Sequence, residues 1–129
     1  LSPALFPSTF IALDGPLGAG KTTFVRHLLR ALGVPGRIKS PTYAVMEPYE
    51  ISGRAISHFD FYRFNDPQEW EDAGFRDVFA SAGLKLAEWP EKAAGLLPQA
   101  DLVIDIEPAD GERRMVRFSA HTALGRGLL

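Results

Sequence analysis

The sequence predicts a single α/β domain in which helices flank a mixed, mainly open β-sheet. Its 129 residues match the usual size of one domain. Short apolar runs typical of strands alternate along the chain with segments of helical periodicity. Glycine and proline fall between these segments as turn signals, and no repeat or linker divides the chain. We therefore expect one domain over residues 1–129; because the chain begins with Leu1 rather than Met, we also expect that an N-terminal segment is missing.

The first strand and helix follow each other directly. Residues 9–13 form a short apolar run closed by Asp14 and Gly15, which predicts a buried strand. Residues 22–32 then carry apolar side chains at helical spacing, and Gly33 and Pro35 end the segment. The intervening stretch is rich in glycine, so the order is strand, glycine loop, helix.

The middle of the chain predicts a hairpin and a second helix. Residues 43–51 and 54–62 are extended-looking segments joined at Ser52-Gly53, which is typical of a hairpin turn. Asp66 precedes Pro67 and is the predicted N-cap of a helix that runs to about Phe79. We expect Trp70 and Phe75 of this segment to be exposed and to form a partner surface.

Three further strands are predicted in the C-terminal half. They cover residues 84–89, 102–106 and 114–118, and a turn at 108–111 joins the last two. The glycine-broken tail, 120–129, is expected to fray. Strands that alternate with helices, with hairpins inserted, predict the mixed sheet stated above.

Composition excludes several classes of protein. The absence of cysteine rules out disulfide scaffolds, thiolate zinc sites and cysteine nucleophiles, and it fits a cytoplasmic protein. No apolar run approaches the roughly 18 residues that a membrane span needs. Fourteen Lys and Arg against sixteen Asp and Glu give a net charge of −2, so a broad electrostatic grip on nucleic acid is not expected. We expect any link to RNA to run through a partner.

The glycine loop carries the strongest chemical signal. Residues 15–22, GPLGAGKT, fit the phosphate-loop pattern G-x-x-x-x-G-K-[ST] after a strand and before a helix. Glycines let backbone N–H groups turn inward around a polyphosphate, and the helix N-terminus favours an anion. Lys21 would place a charge on the terminal phosphates and Thr22 a hydroxyl on magnesium. The alternative is a plain glycine turn with Lys21 solvated. The predicted nucleotide-binding residues are Gly15, Leu17, Gly18, Ala19, Gly20, Lys21, Thr22 and Thr23.

A P-loop NTPase fold of this kind needs a carboxylate near the magnesium ion, usually at the end of a neighbouring strand. Asp60 is the best candidate because it ends the predicted strand 54–62 on the face of Ile56 and His58; taken alone, it could be a turn residue. Thr42 offers an oxygen to a metal from the 39–43 segment, which could also be a simple loop. Glu88 ends another strand and could serve a metal or a water molecule, or form a surface ion pair.

The combination of segments resembles the bacterial TsaE family. The segments are GPLGAGKTTF at 15–24, KSPTY at 39–43, EPY at 47–49, HFDFYR at 58–63 and EWP at 88–90. The resemblance implies a small magnesium-dependent ATPase that is needed for threonylcarbamoyladenosine modification of tRNA position 37 and works with TsaD and TsaB subunits. It also implies that Lys21 and Thr22 bind phosphate and magnesium, that Thr42 lies in a switch-like loop, and that Asp60 and Glu88 are the active-site acids. Pro16 departs from the family, which commonly has an acidic residue there.

Two other functions stay open at this point. A small-molecule kinase could use the same phosphate loop, but such kinases usually carry an arginine-bearing lid. The sequence shows no arginine cluster of that kind, and the pair Arg113 and Arg114 in a strand turn is the best remnant. A nucleotide-sensing module could bind ATP or ADP without significant turnover. Phosphate release, measured with and without partner subunits, separates these cases.

Overall fold

The fold is built on one six-stranded sheet. The computed structural model describes residues 8–16, 18, 20–39, 41 and 45–129. The strands are β1 (Ser8–Asp14), β2 (Met46–Ile51), β3 (Arg54–Asp60), β4 (Gly83–Glu88), β5 (Leu102–Pro108) and β6 (Arg114–Ala120). They lie in the order β2-β3-β4-β1-β5-β6. The four central strands are parallel, and β2 and β6 pair antiparallel at the two edges. The prediction of a mixed open sheet is confirmed.

Two hydrophobic cores cover the two faces of the sheet. Alternate residues of β1 divide between them, with Ile11 and Leu13 on one face and Phe10 and Ala12 on the other. The first face packs against helix α1 (Lys21–Ala31), which buries Val25 and Leu29. The second face packs against an aromatic cluster around Phe59, Phe61 and Trp70. Because both faces are covered, β1 reads as a nearly continuous apolar run.

The second predicted helix is in fact two short helices. Helix α2 (Pro67–Ala73) begins at Asp66, whose side chain accepts a hydrogen bond from the Gln68 N–H, as the N-cap prediction requires. It ends at Gly74, which takes a left-handed conformation with φ of 70°, and α3 (Phe75–Ala80) starts immediately after it. The prediction of one helix through Phe79 is therefore wrong, because Gly74 turns the chain.

The expectation that Trp70 and Phe75 are exposed is also wrong. Their side chains are 2% and 4% exposed, and their rings lie edge to face at 5.8 Å. The bend at Gly74 turns both rings onto the same aromatic cluster. They stabilise the core and offer no surface to a partner.

The C-terminal tail is ordered, contrary to expectation. Helix α4 (Ala123–Leu128) begins after Thr122, whose hydroxyl accepts a hydrogen bond from Gly125 N–H and donates one to Asp101. Leu128 packs against the core on the α1 face. The cap and this apolar contact together hold a segment whose glycines alone predict fraying.

The strand connections position the carboxyl edge of the sheet. The hairpin between β2 and β3 turns at Ser52-Gly53 as predicted, although β2 begins at Met46 and residues 43 and 44 lie outside the described part of the chain. Strand β4 ends at Glu88, and a 3-10 turn, Pro90–Ala93, follows Trp89.

Among the described helices, none is long and apolar enough to cross a membrane.

Candidate functional site

The glycine loop lies at the carboxyl edge of the sheet, between β1 and α1. Gly18 and Gly20 have φ of 80° and 102°, a left-handed region that side chains with a Cβ rarely adopt. Gly20 is the N-cap of α1, whose first turn contains no acidic residue and receives no side-chain cap. Amide donors at this helix end therefore face the loop without a side-chain acceptor, an arrangement that favours a phosphate group.

Lys21 is the buried cation of the site. Its side chain is 5% exposed, and its Nζ donates a hydrogen bond to the Gly15 carbonyl at 2.5 Å. The same Nζ lies 3.4 Å from the centroid of the Trp89 ring, a cation–π contact. Burial lowers the pKa of Lys21, and the nearby Glu88 carboxylate opposes that shift. The ammonium group is thus held largely out of water, where its attraction to a phosphate oxygen would be stronger than in bulk water.

Glu88 links three elements of the site. Its Oε1 accepts a hydrogen bond from the Thr22 hydroxyl at 2.8 Å, and its Oε2 lies 2.6 Å from Nε2 of His58. Glu88 and His58 are 2% and 1% exposed. Among the described residues, Nδ1 of His58 has no hydrogen-bond partner, which favours the tautomer that donates from Nε2 to Glu88. His58 therefore fixes the carboxylate, which in turn orients the Thr22 hydroxyl.

Asp60 ends β3 beside Glu88. The parallel register of β3 and β4 pairs these two positions directly. Oδ1 of Asp60 accepts a hydrogen bond from the Tyr62 N–H at 3.0 Å. Burial raises the pKa of Asp60, and the Glu88 carboxylate adds to that rise, whereas the Tyr62 N–H and His58 oppose it. Two neighbouring carboxyl groups in adjacent strands favour the binding of a cation.

The oxygen donors fit a magnesium ion carried by a nucleotide. The Thr22 hydroxyl and the carboxylates of Asp60 and Glu88 are hard ligands of the kind that Mg²⁺ prefers. Within the described ranges, no group of three or more His, Cys, Asp or Glu could hold a metal by itself. Mg²⁺ commonly takes only one or two protein carboxylates and completes its shell with water and substrate phosphates. The donor set suits that mode.

These groups line one cavity of about 380 Å³ at the carboxyl edge of the sheet. Seven of the predicted site residues lie around it, namely Gly18, Gly20, Lys21, Thr22, Thr23, Asp60 and Glu88. Gly15 contributes its carbonyl to Lys21. The predicted residues Leu17, Ala19 and Thr42 lie outside the described residues, so their roles stay predictions.

Three further residues line the cavity, namely Tyr62, Trp89 and Arg114. The sequence alone assigns none of them to the nucleotide site and suggests Arg114 only as part of a kinase lid. Tyr62 and Trp89 pack together at 5.0 Å between ring centroids and form an aromatic wall. Trp89 lies in the left-handed region with φ of 55° and ψ of 50°, which turns its ring over Lys21. No local signal predicts this conformation, because a residue before Pro ordinarily takes an extended backbone.

Comparisons with known proteins agree with this geometry. The family model "Threonylcarbamoyl adenosine biosynthesis protein TsaE" matches residues 1–116. A tRNA threonylcarbamoyladenosine biosynthesis protein TsaE of Haemophilus influenzae is 44% identical over 92% of this chain and 75% of its own length. The protein of the same name from Bacillus subtilis is 36% identical over 88% of this chain and 71% of its own. The crystal structure of Bacillus subtilis YdiB superposes with a TM-score of 0.79 at 30% identity, over 98% of this chain and 78% of that one.

Proposed function

Since the chain belongs to the TsaE family of threonylcarbamoyl adenosine biosynthesis proteins, we propose that it is a magnesium-dependent ATPase subunit of that tRNA-modifying system. It hydrolyses ATP to ADP and phosphate in the cytoplasm, and partner subunits of the TsaD and TsaB type stimulate its turnover. The net charge of −2 supports a division of labour in which a partner holds the tRNA.

A single observation carries the proposal: the phosphate-loop residues and two strand-end carboxylates line the same cavity. Lys21 and Thr22 enter it from α1, whereas Asp60 and Glu88 enter from β3 and β4. A triphosphate seated on the α1 N-terminus would have its terminal phosphate between the Lys21 ammonium and the two acids. A magnesium ion bound there would neutralise negative charge on the phosphates while the terminal phosphoryl group passes to water and ADP leaves.

The hydrogen bonds assign different tasks to the two acids. The Thr22 hydroxyl donates a hydrogen bond to Glu88, so the lone pairs of the Thr22 oxygen are available to coordinate a metal. Glu88 already accepts bonds at both oxygens and therefore acts mainly by positioning Thr22. Among the described residues, Asp60 accepts one backbone hydrogen bond, from the Tyr62 N–H. Burial raises the pKa of Asp60, so a nearby cation would stabilise its charged form. Thr42 is proposed to complete the magnesium shell from the 39–43 segment.

Isosteric variants of the two acids test the proposal. We expect Asp60→Asn and Glu88→Gln each to reduce phosphate release by roughly tenfold or more, since a charge-assisted contact contributes about 1.5–3 kcal/mol. Their affinity for ADP should change less. Phosphate release is measured in the presence of TsaD and TsaB type subunits, with Glu50→Gln as the control, because Glu50 is exposed and does not line the cavity. Parental turnover in both variants would refute the assignment of the acids.

A further inference from the structure

Positive charge is concentrated in one stretch of the chain. Residues 15–46 contain five Lys and Arg and no Asp or Glu. The remaining residues contain nine Lys and Arg and all sixteen Asp and Glu, which is a net charge of −7. Of the five cations, Lys21 is buried in the nucleotide site, whereas Arg26, Arg30, Arg37 and Lys39 are exposed. The protein therefore carries a basic region on an otherwise acidic chain.

The four exposed cations form one surface, the basic face, on the outer side of α1. Arg26 and Arg30 are four residues apart in α1 and so share a helix face. Nη1 of Arg30 donates a hydrogen bond to the Val34 carbonyl at 3.1 Å, which holds the Arg30 side chain along the end of the helix. Arg37 lies between Val34 and Lys39 on the loop that follows.

Tyr49 of β2 fixes the far end of the basic face. Its hydroxyl accepts a hydrogen bond from the Lys39 N–H at 3.1 Å and donates one to the Lys39 carbonyl at 2.9 Å. Burial raises the pKa of Tyr49, the Lys39 backbone and the Arg26 charge oppose that rise, and Glu47 adds to it. Arg26 and Lys39 are therefore close to the same ring, and Glu47 is an acid that faces them. Within the described part of the chain, no carboxylate forms an ion pair with a cation of the basic face.

We infer that the basic face is the docking site for an acidic surface of the protein subunit that stimulates turnover. This inference rests on the proposed function. An acidic partner is attracted to the four cations and repelled by the remaining acidic surface, so the separation of charge orients the encounter. RNA fits less well, because four cations neutralise few phosphates and the rest of the chain is acidic.

The basic face adjoins two parts of the nucleotide site. Arg26 lies about one helical turn beyond Thr22, whose hydroxyl faces the cavity. Lys39 begins the 39–43 segment, from which Thr42 is proposed to complete the magnesium shell. A partner docked here contacts the elements that hold the phosphates and the magnesium ion, so its effect on turnover passes through those elements.

Charge reversal on the basic face tests the inference. Binding to TsaD and TsaB type subunits is measured by biolayer interferometry at low and high salt, with a non-hydrolysable ATP analogue and magnesium. We expect Arg26→Glu combined with Arg37→Glu to weaken binding by roughly tenfold or more at low salt, chiefly through slower association, and less at high salt. The matched control combines Arg113→Glu with Arg117→Glu, an equal charge change at exposed positions outside the basic face and the cavity.

A second measurement separates this inference from the proposed function. In calorimetric titration with ADP and magnesium, the Arg26→Glu, Arg37→Glu variant should keep the parental affinity within about threefold, because exposed charges are screened by salt. A parent that binds ADP but not the subunits would refute the docking site alone. A parent that binds neither would refute the proposed function as well.

The other outcomes also decide the question. Parental subunit binding by the Arg26→Glu, Arg37→Glu variant would overturn the inference. An equal loss in the control pair would overturn it too, because net charge alone would then explain the effect. Lost binding to a tRNA transcript, with subunit binding unchanged, would overturn it in favour of RNA. A thermal melt checks folding, and the neutral variants Arg26→Gln and Lys39→Gln should each show a smaller loss in the same direction.

Discussion

Replacing Lys21 by alanine separates phosphate binding from folding. The ammonium group is buried, donates to the Gly15 carbonyl and lies over the Trp89 ring. In the folded protein it is therefore largely stripped of water, and burial lowers its pKa. A charge in such a position costs desolvation energy during folding and recovers it when an anionic phosphate binds. The variant should lose much affinity and little stability.

The size of the effect follows from the contacts. Loss of a charge-assisted contact to phosphate costs about 1.5–3 kcal/mol, which is a factor of about 10 to 150 in the dissociation constant of ADP. Loss of the hydrogen bond to Gly15 destabilises the variant, whereas removal of a buried charge stabilises it. Because the two effects oppose each other, we expect the melting temperature to change by no more than about 3 °C. Calorimetric titration with ADP and magnesium gives the first quantity, and a thermal melt gives the second.

A neighbouring lysine provides the control. Lys92 lies on the 3-10 turn, is exposed, and does not line the cavity, so Lys92→Ala should keep the parental affinity within about twofold. Unchanged ADP affinity in Lys21→Ala would refute the assignment of the glycine loop to phosphate. Equal losses in both lysine variants would mean that general charge, and not the position of Lys21, attracts the nucleotide.

Two further predictions concern the scaffold away from the site, at the opposite end of the sheet. Gly83→Ala should cost about 3 kcal/mol or more of unfolding free energy in urea, because Gly83 has φ of 116° and a Cβ there would lie 2.4 Å from the Ala55 carbonyl oxygen. Gly53→Ala, at φ of 77° in open space, should cost only about 1 kcal/mol, and equal losses would contradict the clash. Burial lowers the pKa of Lys85, so between that lowered pKa and 10.5 the folded protein binds fewer protons than the unfolded chain, and stability rises with pH. Lys85→Met should reduce this rise in alkaline urea titrations, and an unchanged slope would exclude Lys85 as a source.

Local sequence signals predict those parts of the site that are contiguous in the chain. The spacing of residues 15–22 and the strand and helix on either side are enough to place Lys21 and Thr22, because a phosphate loop is a local structure. Asp60 is predictable from its position at a strand end. That Glu88 lies beside it depends on the parallel register of β3 and β4, which no local pattern encodes.

The errors have two physical causes, a local turn and contacts between residues that are distant in sequence. Trp70 and Phe75 are buried because Gly74 redirects the chain, and the folded tail depends on a hydrogen bond between Thr122 and Asp101, 21 residues apart. Arg114 reaches the cavity only because β6 returns along β5 to the loop edge. Whereas the bend at Gly74 is a local signal, the tail and Arg114 thus depend on contacts between residues that are distant in sequence. The bond between His58 and Glu88 belongs to the same class.

A crystal structure with a non-hydrolysable ATP analogue and magnesium would show directly where the phosphates bind. We expect the phosphates to lie in the cavity between residues 15–22 and the carboxylates of Asp60 and Glu88, with the terminal phosphate within hydrogen-bonding distance of Lys21 Nζ. The magnesium ion should contact the Thr22 hydroxyl. Clear density for the analogue at another surface, with this cavity holding only solvent, would contradict the account.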